Sequence, residues 1–135
     1  MTTQAKAKFQ IAGWDEKTYE EIGGGAKLTQ AKVTQTYEGT IKGTSSIEYL
    51  MSYAVDGTAS FVGLERITGE VDGKSGSFVI RHVGSYSDGA ARSSWSVLQG
   101  SGTGELANLR GEGGYGAGHG ETGEVSFSYN FEADK

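Results

Sequence analysis

The chain has 135 residues, a formal net charge of −5 and no cysteine, which excludes disulfides, thiolate metal sites and cysteine nucleophiles. Its 12 lysines and arginines are scattered, so neither the charge nor its pattern suits a phosphate backbone, and nucleic acid is not expected as a partner. Residues 1–6 run into an alternating segment without an apolar stretch of the length a secretory signal or membrane span requires, which makes the cytosol the default location and a membrane an unexpected partner.

A chain of this length fits one domain over 1–135 and buries roughly 65–70% of its unfolded surface. Glycine is abundant at 23 residues and proline is absent, a pairing that suits many strands joined by tight turns. Aromatic residues recur within alternating patterns, so the glycines punctuate an ordered sheet and do not dilute a linker.

In chain order, residues 7–14 alternate Phe9 and Ile11, and residues 27–41 alternate Ala31, Val33 and Tyr37. Each reads as a strand with one buried face. Three Asp-Gly dipeptides follow sixteen residues apart, Asp56-Gly57, Asp72-Gly73 and Asp88-Gly89, each flanked by β-branched or aromatic alternation. Asp-Gly favours the centre of a two-residue type I′ hairpin turn, where both residues need positive φ. The turns predict consecutive antiparallel strands over 46–55, 58–71, 74–87 and 90–98.

With two-residue loops throughout, pairing is determined, because opposed residues lie equally far from the turn centre. One face then collects Glu48, Leu50, Phe61, Gly63, Glu65, Ile67, Phe78, Ile80, His82, Ser93, Trp95 and Val97. The other carries Tyr49, Met51, Tyr53, Arg66 and Arg81, so the first is placed inward. A three-residue loop at any turn would turn one strand over. The second face remains apolar enough to suggest cover by a subunit partner or by the terminal segments, with Tyr49, Met51 and Tyr53 as interface or packing residues and the protein as a homo-oligomer.

Residues 104–110 form the one helix-like stretch, expected as a short plug or connector, and the glycine-rich 100–123 region reads as a mobile connection to a last strand over 125–131. Its GxGxxG-like spacings at 111–116 and 118–123 follow no βαβ context and carry no dinucleotide reading. The edge problem of about eight such strands is removed by closure, so the expected fold is all-β, a small closed antiparallel barrel of lipocalin-like kind with at most one short helix. A sandwich is the alternative.

The runs Glu48-Tyr49-Leu50-Met51, Phe61-Val62-Gly63-Leu64-Glu65-Arg66, Gly73-Lys74-Ser75-Gly76-Ser77-Phe78-Val79-Ile80-Arg81-His82 and Gly100-Ser101-Gly102-Thr103-Gly104-Glu105-Leu106 resemble a bacterial domain-of-unknown-function family assigned to the allene-oxide-cyclase-like barrels. The resemblance implies an eight-stranded barrel with an interior cavity, in a fold group that includes plant fatty-acid-epoxide cyclases and bacterial polyketide cyclases. No motif of those cyclases aligns with this chain, so no catalytic assignment is transferred.

On the predicted inward face Glu48 lies opposite Glu65, and His82 lies opposite Gly63 and diagonal to Glu65. Opposed Cβ atoms are about 4.5–5.5 Å apart. Close carboxylates in an apolar barrel do not both ionise cheaply, which makes Glu65, His82 and Glu48 the candidate acid/base residues. Phe61, Phe78, Ile80, Trp95 and Leu50 are the candidate ligand-binding wall. The competing reading is Glu65 paired with the neighbourhood of Arg66 or with His82 as a satisfied buried ion pair, with Glu48 reaching solvent at the rim.

One histidine and two carboxylates also resemble a divalent-ion ligand set, and His119 with Glu121 offers a weaker one, but no metal or other cofactor is the leading expectation. The functional expectation is a barrel that binds a small apolar ligand, with cyclase or isomerase chemistry left open. The alternative is a non-enzymatic homo-oligomeric barrel.

Overall fold

The computed structural model describes residues 2–87, 90–118 and 122–131. The strands are β1 (Thr3–Gly23), β2 (Ala26–Gly39), β3 (Ile41–Tyr53), β4 (Ala59–Val71), β5 (Lys74–Ser87), β6 (Ala90–Val97), β7 (Leu109–Gly118) and β8 (Thr122–Phe131). They form a closed barrel in which each strand pairs antiparallel with its sequence neighbours, and β8 returns to pair with β1 from Thr3↔Tyr129 to Gln10↔Thr122. Closure leaves no sheet edge in the barrel wall. No helix among the described residues is long and apolar enough to cross a membrane.

The hairpin signals are borne out with one instructive difference. Asp72 and Gly73 both take positive φ, 52° and 80°, and Val71 pairs with Lys74 as a two-residue turn requires. Asp88-Gly89 lies outside the described residues, but the pairing Ser87↔Ala90 is that of a two-residue loop. At Asp56-Gly57 only the glycine has positive φ. There Ala54 N donates to Thr58 O and Gly57 N donates to Ala54 O, which closes a three-residue loop of a turn followed by a left-handed glycine. The Asp56 carboxylate accepts from the Thr58 amide and hydroxyl and holds that longer loop.

The extra residue turns β3 over. Tyr53 pairs with Ala59 and Glu48 with Leu64, so Ile47, Tyr49 and Met51 point inward while Glu48 and Leu50 point out. The inward placement expected for Glu48 and Leu50, and the outward placement expected for Tyr49 and Met51, are corrected together by this one loop.

The glycine-rich region also differs from expectation: residues 109–118 are strand, not a mobile connection. The composition misleads because the inward glycines of this barrel leave room for rings on the next strand. An added Cβ would stand 2.6 Å from Phe127 Cβ at Gly113, 2.5 Å from Phe9 Cζ at Gly123 and 2.6 Å from Tyr49 Cδ1 at Gly63. Glycine in a strand has this meaning wherever another group approaches closely. The region expected to be helix-like contracts to one 3-10 turn, Gly104–Leu106, and acts as the plug: Leu106 is fully buried against the lower core, and Thr103 and Ser101 accept from the amides of Ser77 and Val79.

The interior holds a lower cluster around Ile41, Ile67, Val71, Phe78, Ile80 and Leu106 and an upper one of Ala31, Val33, Ile47, Tyr49, Met51 and Phe61. Phe61, Phe78, Ile80 and Trp95 are therefore inside as expected, each at most 5% exposed. Trp95 stacks on Phe127 with ring centroids 5.8 Å apart. At Gly63 a methyl group would also meet Glu48 O at 2.7 Å, a backbone atom that has no rotamer to yield. Gly63→Ala is expected to destabilise the barrel by about 1–3 kcal/mol, whereas Ser52→Ala on the outer face stays near neutral, as measured by urea midpoints at unchanged m.

Candidate functional site: a buried carboxylate, imidazole and tyrosine cluster

Between the two apolar clusters lies a layer of polar side chains. Glu65 on β4 is 0% exposed and His82 on β5 is 1% exposed. The pairing Glu65↔Ile80 and Gly63↔His82 puts them diagonal to one another, as expected, and His82 Nε2 stands 2.7 Å from Glu65 Oε1. The other oxygen, Oε2, accepts from Tyr37 Oη at 2.5 Å, Ser45 Oγ at 2.6 Å and Gln35 Nε2 at 3.2 Å. Three donors on one oxygen leave no place for a proton there, so the carboxyl proton, if any, is the one shared with His82.

On its far side His82 Nδ1 lies 2.8 Å from Ser93 Oγ, which is also 3.5 Å from the carbonyl of Ser94. With a neutral ring protonated at Nε2, Ser93 donates to Nδ1. With an imidazolium, Nδ1–H donates to Ser93 Oγ and the hydroxyl proton turns to the Ser94 carbonyl. Both states of the ring find a partner. No buried side-chain polar atom among the described residues lacks one.

Two more tyrosines flank the imidazole edge-on, Tyr49 at 5.5 Å and Tyr115 at 6.4 Å between ring centroids. Their phenol groups interact electrostatically with one another and with Glu65. Burial, with the neighbouring tyrosine and then Glu65 adding to it, pushes Tyr49 far above the ordinary phenol range, and burial also raises Tyr115. Tyr37 is raised strongly by burial and by the Glu65 charge it donates to. These phenols are neutral donors at any ordinary pH. Tyr115 is less buried than Tyr49 and keeps part of its surface accessible.

Of the expected acid/base residues, Glu65 and His82 meet and Glu48 does not. Glu48 lies outside, where it accepts from Gln30 Nε2 at 3.1 Å and pairs loosely with Lys32 at 4.0 Å. Leu50, expected on the ligand wall, is 50% exposed on the same outer face. The Glu48, Glu65 and His82 metal set is therefore not assembled, and no group of three potential ligands is close enough to hold a metal among the described residues. His119 and Glu121 lie outside the described residues. The residues sequence reasoning missed are Tyr37, Gln35 and Tyr115 from strands with no turn signal to set their register, and Ser45 and Tyr49 from the strand turned over.

A second carboxylate is held at the rim. Glu16 accepts from Thr29 Oγ1 and Tyr53 Oη, both at 2.7 Å, and from Trp14 Nε1 at 3.1 Å. Partial burial opposes its ionisation, but the bonds from Tyr53, Thr29 and Trp14 and the charge of Lys27 outweigh it and hold the carboxyl below its usual 4.5. A depressed folded-state value contributes stability that is present above the unfolded value and lost as pH falls through the folded one. Glu16→Gln should lower the thermal midpoint above about pH 4.5 and change it little well below that, so that the acid fall of the midpoint is flattened.

The comparisons with known proteins agree with this architecture. The family model described as "Protein of unknown function (DUF3224)" matches residues 5–129. A crystal structure of a DUF3224 protein of unknown function from Shewanella oneidensis MR-1 superposes with a TM-score of 0.85 at 29% identity, covering 99% of this chain and 100% of that one. No curated protein matches.

Removing one member of a buried charged pair strands the other, at a cost of about 3–5 kcal/mol, while replacing both with apolar residues is often neutral or stabilising. Glu65→Ala and His82→Ala should each lower stability by about that amount, and Glu65→Met with His82→Leu should recover most of it. Denaturant melts of the four proteins provide the comparison. In alkali, tyrosines whose folded values are raised contribute stability that is complete below about pH 10 and lost above it. Tyrosinate absorbance of the buried phenols should therefore appear only together with loss of the near-ultraviolet circular dichroism.

Proposed function

The chain belongs to the DUF3224 family of unknown function, and we propose that this member binds a largely apolar carbonyl compound inside the barrel and moves a proton on the carbon next to the carbonyl, an isomerase- or cyclase-type step. The observation that carries the reading is the Ser93–His82–Glu65 line beside the Tyr49–Tyr115 hydroxyl pair, all within an otherwise apolar interior. Such a layer adds little net stability over an apolar one, so its chemistry is the stronger reason for it.

In the proposed step Ser93 turns its hydroxyl to the Ser94 carbonyl and frees His82 Nδ1. The substrate C–H bond breaks, its proton goes to Nδ1, and its electron pair forms the C=C bond of an enolate. The resulting imidazolium is held by Glu65 Oε1, whose other oxygen is braced by Tyr37, Ser45 and Gln35. The Tyr115 hydroxyl, the more accessible of the two tyrosines, donates a hydrogen bond to the enolate oxygen, as neutral acids do in enolising sites. Return of the proton to another carbon gives the isomer. Phe61, Phe78, Ile80 and Trp95 supply the apolar wall.

A second reading has its own support: every member of the layer is paired, as in a network whose role is to specify strand register. Hydrogen–deuterium exchange separates the two. A panel of apolar ketones of graded size is incubated in D2O with the protein, and exchange at the α-carbon is followed by NMR. The proposal expects at least one ketone to exchange faster than in buffer, with the rate lowered about 10²-fold or more by Tyr115→Phe and by the stable double variant Glu65→Met with His82→Leu. Exchange at the buffer rate across the panel, or acceleration that survives the double variant, refutes it in favour of the register reading.

A further inference from the structure

With β3 turned over, the outer wall gains an aliphatic stripe. Leu50, Val62 and Val83 lie directly opposite one another across β3, β4 and β5, and Leu64 sits next along β4. They are 50%, 49%, 54% and 54% exposed, respectively. Tyr19 and Leu28 of the β1–β2 ribbon flank the stripe, so that its edge is a groove. A contiguous apolar patch of this kind marks a contact surface.

The charges beside it indicate which contact. Leu64 pairs with Glu48 on one side and with Arg81 on the other, placing a carboxylate and a guanidinium on opposite flanks of one row. Strands stand about 4.8 Å apart, so these charges are about 10 Å from one another. Arg81 has no hydrogen bond or ion pair among the described residues, and Glu48 has only the long contact to Lys32 and the bond from Gln30.

A two-fold axis running along β4 in the plane of contact exchanges the flanks. It lays Val62 and Leu64 on their own counterparts, Leu50 on the partner's Val83, and Glu48 on the partner's Arg81, each contact occurring twice. A two-fold across the strands would instead press Glu48 and Arg81 onto aliphatic side chains and leave both charges buried without partners. Arg66, further along β4, lies beyond the stripe and is bonded to Ser77 Oγ at 3.1 Å. We infer that the outer face of β3–β5 is an isologous dimer interface for a second copy of this chain, with the axis along β4 and reciprocal Glu48–Arg81 pairs. This replaces the interface expected at Tyr49 and Met51, which lie inside, and it is independent of the chemistry proposed for the interior.

Sedimentation equilibrium of the full chain over a concentration series tests it. The wild type should fit a monomer–dimer equilibrium, and Leu64→Glu should be monomeric with an unchanged far-ultraviolet spectrum. Glu48→Arg and Arg81→Glu should each weaken dimerisation by about tenfold or more, since each sets like charges together, and the double reversal should restore it. A wild type that stays monomeric throughout, a dimer that survives Leu64→Glu, or a double reversal no better than the single ones overturns the inference. The charge reversals are exposed on the outer face, so loss of fold does not confuse the result.

Discussion

The Glu65 carboxylate ties together more of this protein than any other single group. From β4 it receives Tyr37 and Gln35 of β2, Ser45 of β3 and His82 of β5, and through His82 it reaches Ser93 of β6. Every one of these side chains points inward only in the observed register. A slip of one residue in any of those strands would turn its polar member to solvent and leave a buried donor or acceptor behind. The layer thus acts as a pin through one half of the barrel wall. The other half, β7, β8 and β1, is set by apolar shape.

That second constraint explains why a glycine-rich chain makes a rigid barrel. Gly63, Gly113 and Gly123 each occupy a position where a neighbouring strand presents Tyr49, Phe127 or Phe9, and the ring or its stem fills the space a side chain would have taken. Large and small alternate across facing positions, the packing rule of a small barrel. The same economy puts Tyr49 over Gly63 and against the edge of His82, so the packing rule and the polar layer meet in one residue. The chemistry proposed for the site depends on that meeting: the phenol that covers the glycine is also half of the hydroxyl pair.

Inside and outside are coupled by a single loop. The third residue between Ala54 and Thr58 sends Tyr49 and Met51 into the core and Leu50 and Glu48 to the surface. Tyr49 thereby completes the tyrosine pair, and Leu50 completes an aliphatic stripe with Val62 and Val83. Had the loop been one residue shorter, the interior would hold a second carboxylate against Glu65 and the outer wall would lose its continuous apolar row.

Much of this was legible in the residues themselves. The Asp-Gly turns, the period-two alternation and the absence of proline and long apolar runs determined an all-β barrel, the strands β4 to β6 within a residue or so, and the diagonal meeting of Glu65 with His82. These are consequences of local chemistry, because a two-residue turn with positive φ at both centres sets the register of the strands on either side. Tertiary structure alone decided the rest. Whether Asp56-Gly57 closes with two residues or three depends on strand twist and on the Thr58 donors the Asp56 carboxylate finds, which the dipeptide alone does not encode, and the choice moves a whole strand by one face. Whether residues 109–118 are loop or strand depended on rings contributed from Phe127 and Tyr129, close in space through β8 and invisible to local composition. The partners of Glu65 on β2 came from a pairing with no turn motif to announce it, and Ser45 of β3 from the strand the longer loop turned over, so only the closed barrel brought them to one oxygen.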